Sequence, residues 1–429
     1  MSTAQSKLSS IRRAVTALIT ALAVFGATPA RSQPQTSGNS IDYTYIQPPF
    51  TSSVANCITV GPDGALWYTD LYNGIVRMTT AGDFTAYSVP TPGSNPQGIT
   101  TGPDGALWFT EAWANQIGRI TVSGEVTEYP LPVFGTLGNE PWNIVAGPDG
   151  AMWFAENNNA NIGRITTSGQ VTQFPTGTSS DYLTVGPDNA IWFAGYGGVI
   201  GRLTTEGALT SYTAPTPNSW PDGITVGSDG ALWFTEFSAA KIGRITTQGA
   251  FTEYPLPSSD NASPAPQAIA SGGDGALWFT TFIATTGARG FWRMTTAGLL
   301  TEYGVVGGYS ITPGPEGDLW FTGPNDGVTL GKLPACGTGL RASFSDGTLT
   351  MSFALGTDFA SNFTVEMAKG AGQSGTLASR NIGPVTPPAT FTLTKTGVAD
   401  LGVVRVTSRV TAADSVRCVE WMDINTSAP

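Results

Sequence analysis

The chain has 429 residues, of which 12% are charged, and it contains 54 glycines and 30 prolines. Few charges combined with many turn-forming residues favour an all-β protein over a helical one. The net charge of −11 makes nucleic acid an unfavourable partner, and the absence of histidine excludes a Ser-His-Asp or Cys-His catalytic site.

The first thirty residues have the pattern of a bacterial-type signal peptide. Lys7, Arg12 and Arg13 precede an apolar stretch over 14–27, and small residues up to Ala30 provide a cleavage site. This stretch is too short to span a bilayer comfortably and no second candidate follows, so we expect no membrane span. We predict a signal peptide over 1–30, a linker over 31–40, and a secreted or periplasmic protein with a net charge of −14 after cleavage.

One phrase, Gly-Pro-Asp-Gly-Ala-Leu-Trp-Phe or a close variant, occurs seven times along the chain. Its tryptophans are 41, 45, 39, 41, 45 and 42 residues apart. A period of this length, with four short strands in each unit, indicates a β-propeller. We predict a seven-bladed propeller over 41–335, in which the repeated residues have structural roles. Each third strand also carries a basic residue that we expect to pair within the ring; these are Arg77, Arg119, Arg164, Arg202, Arg244, Arg293 and Lys332.

The second repeat shows the four strands of a blade most clearly. We expect them over 98–101, 106–110, 116–121 and 125–131, with tight turns at Gly-Pro-Asp-Gly and Val-Ser-Gly.

The seventh repeat lacks its fourth strand, whereas a segment that resembles a fourth strand precedes the first repeat. We therefore predict that a strand over 42–46 pairs with 328–333 and closes the ring, which leaves no open sheet edge there.

From Cys336 onward the pattern changes to alternation of apolar and polar residues, as at Leu349, Met351 and Phe353. This pattern predicts a β-sandwich of the immunoglobulin or fibronectin type over 336–429. We interpret it as a docking or stabilising module, with a protein partner as one alternative. Three cysteines are an odd number for an oxidising compartment, so we predict a Cys336–Cys418 disulfide and a buried free thiol at Cys57.

The blade phrases resemble those of the virginiamycin B lyase (streptogramin B lyase) family. Gly-Pro-Asp-Gly-Ala-Leu-Trp-Phe-Thr-Glu, Ile-Gly-Arg-Ile-Thr and Thr-Glu-Tyr-Pro-Leu-Pro look like that family's blades over 41–335. The resemblance implies a lyase that opens a cyclic depsipeptide antibiotic by elimination at an ester bond. It also implies a magnesium ion held by two glutamates, and a histidine base, in the last blade.

This sequence departs from the family's pattern at those positions. Gly307 falls on the first glutamate and Tyr309 on the histidine, and Asp326 could replace the second glutamate. Gln267 falls on a further histidine that contacts the substrate in the sixth blade. The resemblance therefore implies the family's fold without its chemistry.

Antiparallel geometry predicts which residues surround one mouth of the channel. The start of each innermost strand and the end of each second strand meet at the end of the blade opposite its tight turns, and residues there vary while the scaffold does not. The predicted ligand-binding residues are Trp113 and the innermost-strand positions Asn56, Gln97, Trp142, Asp181, Asp222, Gln267 and Tyr309. The predicted carboxylate ligands of a metal are Asp70, Glu111, Glu140, Glu156 and Glu236.

Two functions are compatible with such a rim. Carboxylates suit a hard cation such as Mg²⁺ or Ca²⁺, and aromatic faces suit a sugar, a peptide or an organic cation. One hypothesis is a module that binds a small molecule, peptide or glycan; the alternative is a metal-dependent carbon–oxygen lyase, or a lactone or ester hydrolase, that works with carboxylates alone. A third interpretation is that the rim is an ordinary solvated surface that binds no ligand. The absence of histidine favours binding over catalysis.

Overall fold

The structure is a computed structural model. It describes residues 44–50, 53–133, 138–257, 263–273, 275–284, 286–287, 289–303, 308–315, 318–323 and 330–333, and the backbone of seven later strands between 341 and 425. The predicted signal peptide (1–30), the linker (31–40) and Cys336 lie outside the described residues. The described residues contain strands and no helix, and hence no helix that could cross a membrane.

Twenty-eight strands form seven antiparallel four-stranded sheets, one for each blade. A strand at the start of the chain, β1 (Thr44–Ile46), belongs to the seventh blade. Blade 1 contains β2 (Ala55–Val60), β3 (Leu66–Asp70), β4 (Gly74–Met78) and β5 (Phe84–Tyr87). Blade 2 contains β6 (Pro96–Thr101), β7 (Leu107–Glu111), β8 (Gln116–Ile120) and β9 (Val126–Pro130). Blade 3 contains β10 (Pro141–Ala146), β11 (Met152–Glu156), β12 (Asn161–Ile165) and β13 (Val171–Pro175). Blade 4 contains β14 (Ser180–Val185), β15 (Ile191–Gly195), β16 (Val199–Leu203) and β17 (Leu209–Thr213). Blade 5 contains β18 (Pro221–Val226), β19 (Leu232–Glu236), β20 (Lys241–Ile245) and β21 (Phe251–Pro255). Blade 6 contains β22 (Ala265–Ser271), β23 (Leu277–Phe282), β24 (Arg289–Met294) and β25 (Leu300–Tyr303). Blade 7 contains β26 (Ile311–Pro313), β27 (Leu319–Thr322) and β28 (Leu330–Leu333) in addition to β1.

The seven-bladed propeller predicted from the repeats is confirmed. In blade 2 the four predicted strands are present, and the innermost one begins two residues earlier than expected, at Pro96.

The repeated aspartate joins the tight turn of each blade to its second and third strands. In blade 2, Asp104 accepts a hydrogen bond from the indole Nε1 of Trp108 (3.0 Å) and one from Nε of Arg119 (2.7 Å). The guanidinium of Arg119 also lies 6.0 Å from the Trp108 ring centroid, within the range of a cation–π contact. The expectation that the basic residue of the third strand pairs within the ring is therefore met in six blades; the equivalent pairs are Arg77–Asp63, Arg164–Asp149, Arg202–Asp188, Arg244–Asp229 and Lys332–Asp318. For Arg293 of blade 6 the pairing stays a prediction.

The core is divided among the interfaces between neighbouring blades. Trp67 of blade 1 is fully buried and packs with Ile99, Leu107 and Phe109 of blade 2. Each blade is packed between the preceding blade and the following one, so its second strand is buried on both faces. Burying such aromatic side chains is the main source of stability between blades, at roughly 1.5–3 kcal/mol for each side chain.

The ring closes as the sequence predicts. The first strands of the seven blades contact one another in order, and β26 of blade 7 contacts β2 of blade 1. Strand β1 pairs antiparallel with β28, with Thr44 opposite Lys332 and Ile46 opposite Leu330. Thr322 Oγ1 of blade 7 lies 3.3 Å from the carbonyl oxygen of Asn56 in blade 1 and donates a hydrogen bond to it.

The C-terminal segment forms two antiparallel sheets. One contains β29 (Arg341–Ser345), β30 (Thr348–Leu355) and β33 (Ala389–Thr396) in the order β29-β30-β33. The other contains β31 (Asn362–Lys369), β32 (Thr376–Ile382), β34 (Val403–Ala412) and β35 (Ser415–Asn425) in the order β32-β31-β34-β35. Their side-chain packing lies outside the described features, so the immunoglobulin- or fibronectin-type sandwich stays a prediction.

Candidate functional site

A β-bulge lies at the start of the innermost strand of blades 1 to 6. In blade 2, Pro96 is opposite Glu111 and Ile99 is opposite Phe109, so that Gln97 and Gly98 together face one residue of β7. Bulges occur in the same place in blades 1, 3, 4, 5 and 6. A bulge redirects a side chain and often lies beside a functional site. The predicted ligand-binding residues Asn56, Gln97, Trp142, Asp181, Asp222 and Gln267 all occupy these bulges.

A threonine of the second strand fixes this bulge and ties it to the next blade. Thr110 Oγ1 accepts a hydrogen bond from the backbone N–H of Gly98 (2.9 Å) and donates one to the carbonyl of Trp142 in blade 3 (2.6 Å). A Cβ atom on Gly98 would lie 2.6 Å from that carbonyl oxygen, so this close approach requires glycine. In blade 7, Thr322 Oγ1 accepts from the N–H of Ser310 (3.1 Å), which places Tyr309 in the position equivalent to Gln97.

The carboxylates at the ends of the second strands are buried and do not line an open rim. Asp70, Glu111, Glu156 and Glu236 are each 0% exposed. Asp70 accepts hydrogen bonds from the backbone N–H groups of Tyr72 and Asn73, both at 2.9 Å, and thereby caps the turn after its strand. The rim of exposed carboxylates expected from the sequence is therefore not what the structure shows.

Glu156 is surrounded by amide side chains of its own blade and of the preceding segment. It accepts hydrogen bonds from Asn139 and Asn161, both at 3.2 Å, and from Gln173. Burial nevertheless raises the pKa of Glu156 above its ordinary value, and the three amides oppose this effect. These contacts all lie among neighbouring strands and loops, so Glu156 has a structural role in blade 3.

Glu111 and Glu236 are buried without a hydrogen-bond donor in position. Neither oxygen of either carboxylate has a hydrogen-bond partner among the described residues. Burial raises the pKa of Glu111 to about 7; the hydroxyl of Ser94 opposes this from outside hydrogen-bond geometry, and the nearby carboxylate of Glu128 adds to it. Burial likewise raises the pKa of Glu236 to about 7, and the carboxylate of Glu253 adds to the effect. Each glutamate is therefore partly protonated near neutral pH.

The described residues do not gather into a metal site. No group of three or more Cys, Asp or Glu side chains in the described ranges is arranged to hold a metal ion. The predicted metal ligands Asp70, Glu111, Glu156 and Glu236 are in different blades, and Glu140 is half-buried beside the bulge of blade 3 with a φ of 46°. The assignment of these five residues to a metal therefore has no support in this geometry.

An aromatic cluster lies between blades 4 and 5, beside two of the bulges. The ring centroid of Trp220 is 5.3 Å from that of Tyr196 and 6.4 Å from that of Phe237. Trp220 has a φ of 54°, a conformation that is unusual for a bulky residue and often occurs at functional sites. Asp181 is buried and accepts a hydrogen bond from the hydroxyl of Tyr196 (2.7 Å). Asp222 is also buried, whereas Trp113 of blade 2 is 62% exposed.

An arginine that the sequence analysis missed joins the bulge of blade 6 to Tyr309 of blade 7. Arg289, at the start of β24, donates a hydrogen bond from Nη1 to Oε1 of Gln267 (2.8 Å). The central carbon of its guanidinium lies 3.9 Å from the ring centroid of Tyr309 and 5.0 Å from that of Phe282. Burial lowers the pKa of Arg289, and Tyr309 opposes this shift.

A signal for this arginine does exist in the sequence. The basic residue of the third strand follows the repeat tryptophan by 10 to 12 residues in the other blades and by 15 residues in blade 6. The longer connection adds a second arginine, Arg289, before Arg293.

The comparisons with known proteins agree with this architecture. The chain matches the model of the virginiamycin B lyase family over residues 35–182 and 176–305. It is 36% identical to virginiamycin B lyase from Staphylococcus aureus, with 68% of this chain and 98% of that chain covered and a TM-score of 0.61. The chain belongs to the virginiamycin B lyase family.

Two further solved structures of this family resemble the chain equally well. A streptogramin B lyase is 34% identical, with 68% of this chain and 97% of that chain covered and a TM-score of 0.61. A catalytically inactive histidine-to-alanine variant of the S. aureus virginiamycin B lyase, solved with quinupristin, is 36% identical, with 68% and 98% covered and a TM-score of 0.61. No curated protein matches this chain.

The residues of this family member do not fit the magnesium ion that the resemblance implies. The chain has no histidine, and the guanidinium of Arg289 lies 3.9 Å from the ring centroid of Tyr309, the residue that falls on the family's histidine. A fixed positive charge at this position repels a divalent cation.

Residues 307 and 326 lie outside the described residues, as does Cys336 of the predicted disulfide. Cys57 is a free, half-buried thiol 3.6 Å from Ser310 Oγ.

Proposed function

We propose that this protein binds a small ligand at the channel mouth formed by the bulge residues and does not open streptogramins. The observation that carries the proposal is the contact between Arg289 and Tyr309, with 3.9 Å between the guanidinium and the ring centroid. The resemblance implies that the lyase reaction uses a base and a metal ion at this position. A tyrosine covered by an arginine provides neither.

The histidine content of the chain supports the same conclusion. The variant of the S. aureus enzyme in which a histidine is replaced by alanine is catalytically inactive. This chain contains no histidine at any position. A positioned general base typically contributes ~10²–10⁴ in rate, so an elimination without one is expected to be close to the uncatalysed rate.

The mouth retains the features of a binding site. The bulges occupy the same place in blades 1 to 6, and their side chains include amide, aromatic and carboxyl groups that differ from blade to blade while the scaffold repeats, which supports this proposal. We propose that this protein is exported, as the leader over 1–30 predicts, and that the segment over 336–429 attaches it to a partner or stabilises it. The ligand is a small molecule, a peptide or a glycan.

The antibiotic reaction provides a direct test. The purified protein is incubated with quinupristin, with and without Mg²⁺, and the products are separated by liquid chromatography and mass spectrometry, with the S. aureus lyase as positive control. We expect no linear product above the rate without enzyme. A linear product that requires Mg²⁺ would contradict the proposal and support the alternative, a metal-dependent carbon–oxygen lyase; release from lactone or ester substrates would support a hydrolase.

Ligand binding is tested separately by a thermal-shift screen with sugars, peptides and small acids. We expect a ligand whose effect is weakened by Trp142→Ala, and unchanged by Glu125→Gln, which alters an exposed residue of blade 2. Ligands whose effects are the same in both variants would place binding elsewhere and contradict a site at the mouth.

A further inference from the structure

The guanidinium of Arg289 lies close to two aromatic rings. Its central carbon lies 3.9 Å from the ring centroid of Tyr309 and 5.0 Å from that of Phe282. Aromatic rings attract the face of a guanidinium through the charge distribution of the ring. Arginine has five N–H donors in one plane, more than its contacts with Gln267 and Tyr309 can use.

Among the described residues, only some of these donors are used. Nη1 donates to Oε1 of Gln267 (2.8 Å), and the Nε2 amide of Gln267 is a further donor on the same side chain. No carboxylate among the described residues lies within ion-pair distance of Arg289. A half-buried positive charge that has no carboxylate partner among the described residues is costly, and an anionic ligand would lower this cost.

Other basic residues of the propeller that have structural roles form ion pairs with carboxylates. In blades 1 to 5 the third-strand arginine donates to the turn aspartate at 2.6–2.7 Å, as Arg119 does to Asp104. Lys241 of blade 5 pairs with Glu253 at 2.6 Å. Arg289 differs from them because its contacts, Gln267 and Tyr309, are not carboxylates.

We propose that Arg289, Gln267, Tyr309 and Phe282 form a subsite for the carboxylate group of an organic ligand; this inference rests on the proposed ligand-binding function. One guanidinium edge matches the two oxygens of a planar carboxylate in a bidentate pair. The rings of Tyr309 and Phe282 make the surroundings of this group partly apolar. A phosphate dianion fits less well, because the described subsite has one cation in a chain whose net charge is −11.

The test measures the binding of three related probes to the full-length protein. Hippurate carries a carboxylate beside an aromatic group, hippuramide replaces the carboxylate with a neutral amide, and phenyl phosphate carries a phosphate. Calorimetric titration at pH 7 and low salt is expected to give a Kd for hippurate at least tenfold lower than that for hippuramide or phenyl phosphate. Equal affinity for acid and amide, no saturable hippurate binding at millimolar concentration, or tighter binding of phenyl phosphate would overturn the proposal.

Variants then assign the binding to the arginine. Arg289→Gln is expected to raise the Kd of hippurate at least tenfold, and Arg289→Lys to raise it by a smaller factor, because lysine keeps the charge but loses the planar pair of donors. Arg119→Gln removes an arginine that also contacts an aromatic ring, at the turn end of blade 2, and is expected to leave the Kd unchanged. An unchanged Kd in Arg289→Gln would overturn the proposal.

A second variant keeps the test decisive if Arg289→Gln fails to fold. Gln267→Glu places a carboxylate where Oε1 already lies 2.8 Å from Nη1. The new glutamate should form an ion pair with Arg289 and compete with the carboxylate of the ligand. We expect the loss of at least tenfold in hippurate affinity without loss of folding, whereas Gln248→Glu on the exposed turn of blade 5 leaves the affinity unchanged. Retained hippurate binding in Gln267→Glu would overturn the proposal. If the protein linearises quinupristin and also binds hippurate selectively, the carboxylate subsite stands. Only the proposed absence of lyase activity is then contradicted.

Discussion

The free energy of unfolding of Glu111→Gln, relative to that of the wild type, is expected to increase as the pH rises. Burial raises the pKa of Glu111 from 4.5 to about 7 in the folded chain. The folded chain therefore holds a proton that the unfolded chain releases, so the free energy of unfolding of the wild type falls as the pH rises through this window. Each pKa unit corresponds to about 1.4 kcal/mol, which gives a cost of about 3 kcal/mol at pH 8 that is nearly absent at pH 4.

Glu111→Gln removes the ionisable proton while it keeps the shape of the side chain. Its new amide can also donate to the neighbouring carboxylate of Glu128. The difference in free energy of unfolding between variant and wild type is expected to grow by about 3 kcal/mol from pH 4 to pH 8, which corresponds to roughly 6 °C in Tm. Because only the change with pH is used, any constant effect of the amide cancels.

Urea denaturation followed by tryptophan fluorescence at pH 4, 6 and 8 measures this difference. Glu125→Gln changes an exposed glutamate of the same blade and serves as the matched control, with a difference that does not depend on pH. Glu236→Gln in blade 5 provides an independent repeat, since burial raises the pKa of Glu236 to about 7 as well. If the difference for Glu111→Gln is the same at all three pH values, Glu111 is not buried as the structure has it.

Three further predictions concern the scaffold. Asp104→Asn removes the carboxylate that accepts hydrogen bonds from an indole and a guanidinium, and is expected to cost about 2 kcal/mol at pH 7. Burial raises the pKa of Asp104, but its hydrogen bonds with Trp108 and Arg119 outweigh this effect and hold the pKa below its ordinary value. The cost of the substitution, measured by urea titration, should therefore decrease as the pH falls below the ordinary range of an aspartate; a cost that is unchanged from pH 7 to pH 2 would contradict the argument. Thr110→Val leaves a backbone N–H of its own blade and a carbonyl of the next blade without their partner, and should lower the Tm by several degrees, whereas Thr127→Val on an exposed strand position should not. A chain without residues 1–46 should expose the edge of blade 7 and associate in light-scattering measurements, in contrast to a chain without residues 1–43; identical behaviour would show that β1 does not protect this edge.

The repeats determined how much of the fold could be predicted from the sequence. Seven copies of one phrase identify the blades, and the displaced fourth strand before the first copy identifies the closure through Thr44–Ile46. Strand ends were predicted less well, because the bulge at Gln97 and Gly98 interrupts the pairing where the pattern of the repeat is weakest.

The candidate site was predicted only in part, for two physical reasons. Second strands such as Leu107–Glu111 are buried on both faces, so they lack the alternation that would have shown Glu111 to be internal. Arg289 lies outside the repeated phrase, and its significance depends on Gln267 and Tyr309, which come from two different blades. Pairing across blades is a property of the ring that no single repeat contains.

The antiparallel pairing of β1 with β28 also affects how the propeller can be cut and rejoined. Thr44 lies opposite Lys332, so the chain enters and leaves the ring at the same end of one blade. A short linker could join these two points, and new termini could be opened in the segment between blades 2 and 3. In such a circular permutant the closing strand becomes part of a hairpin, and the contact that now spans the whole ring becomes a local one. In the natural order of the chain we expect this contact to form late in folding, because closing the largest loop has the highest entropy cost.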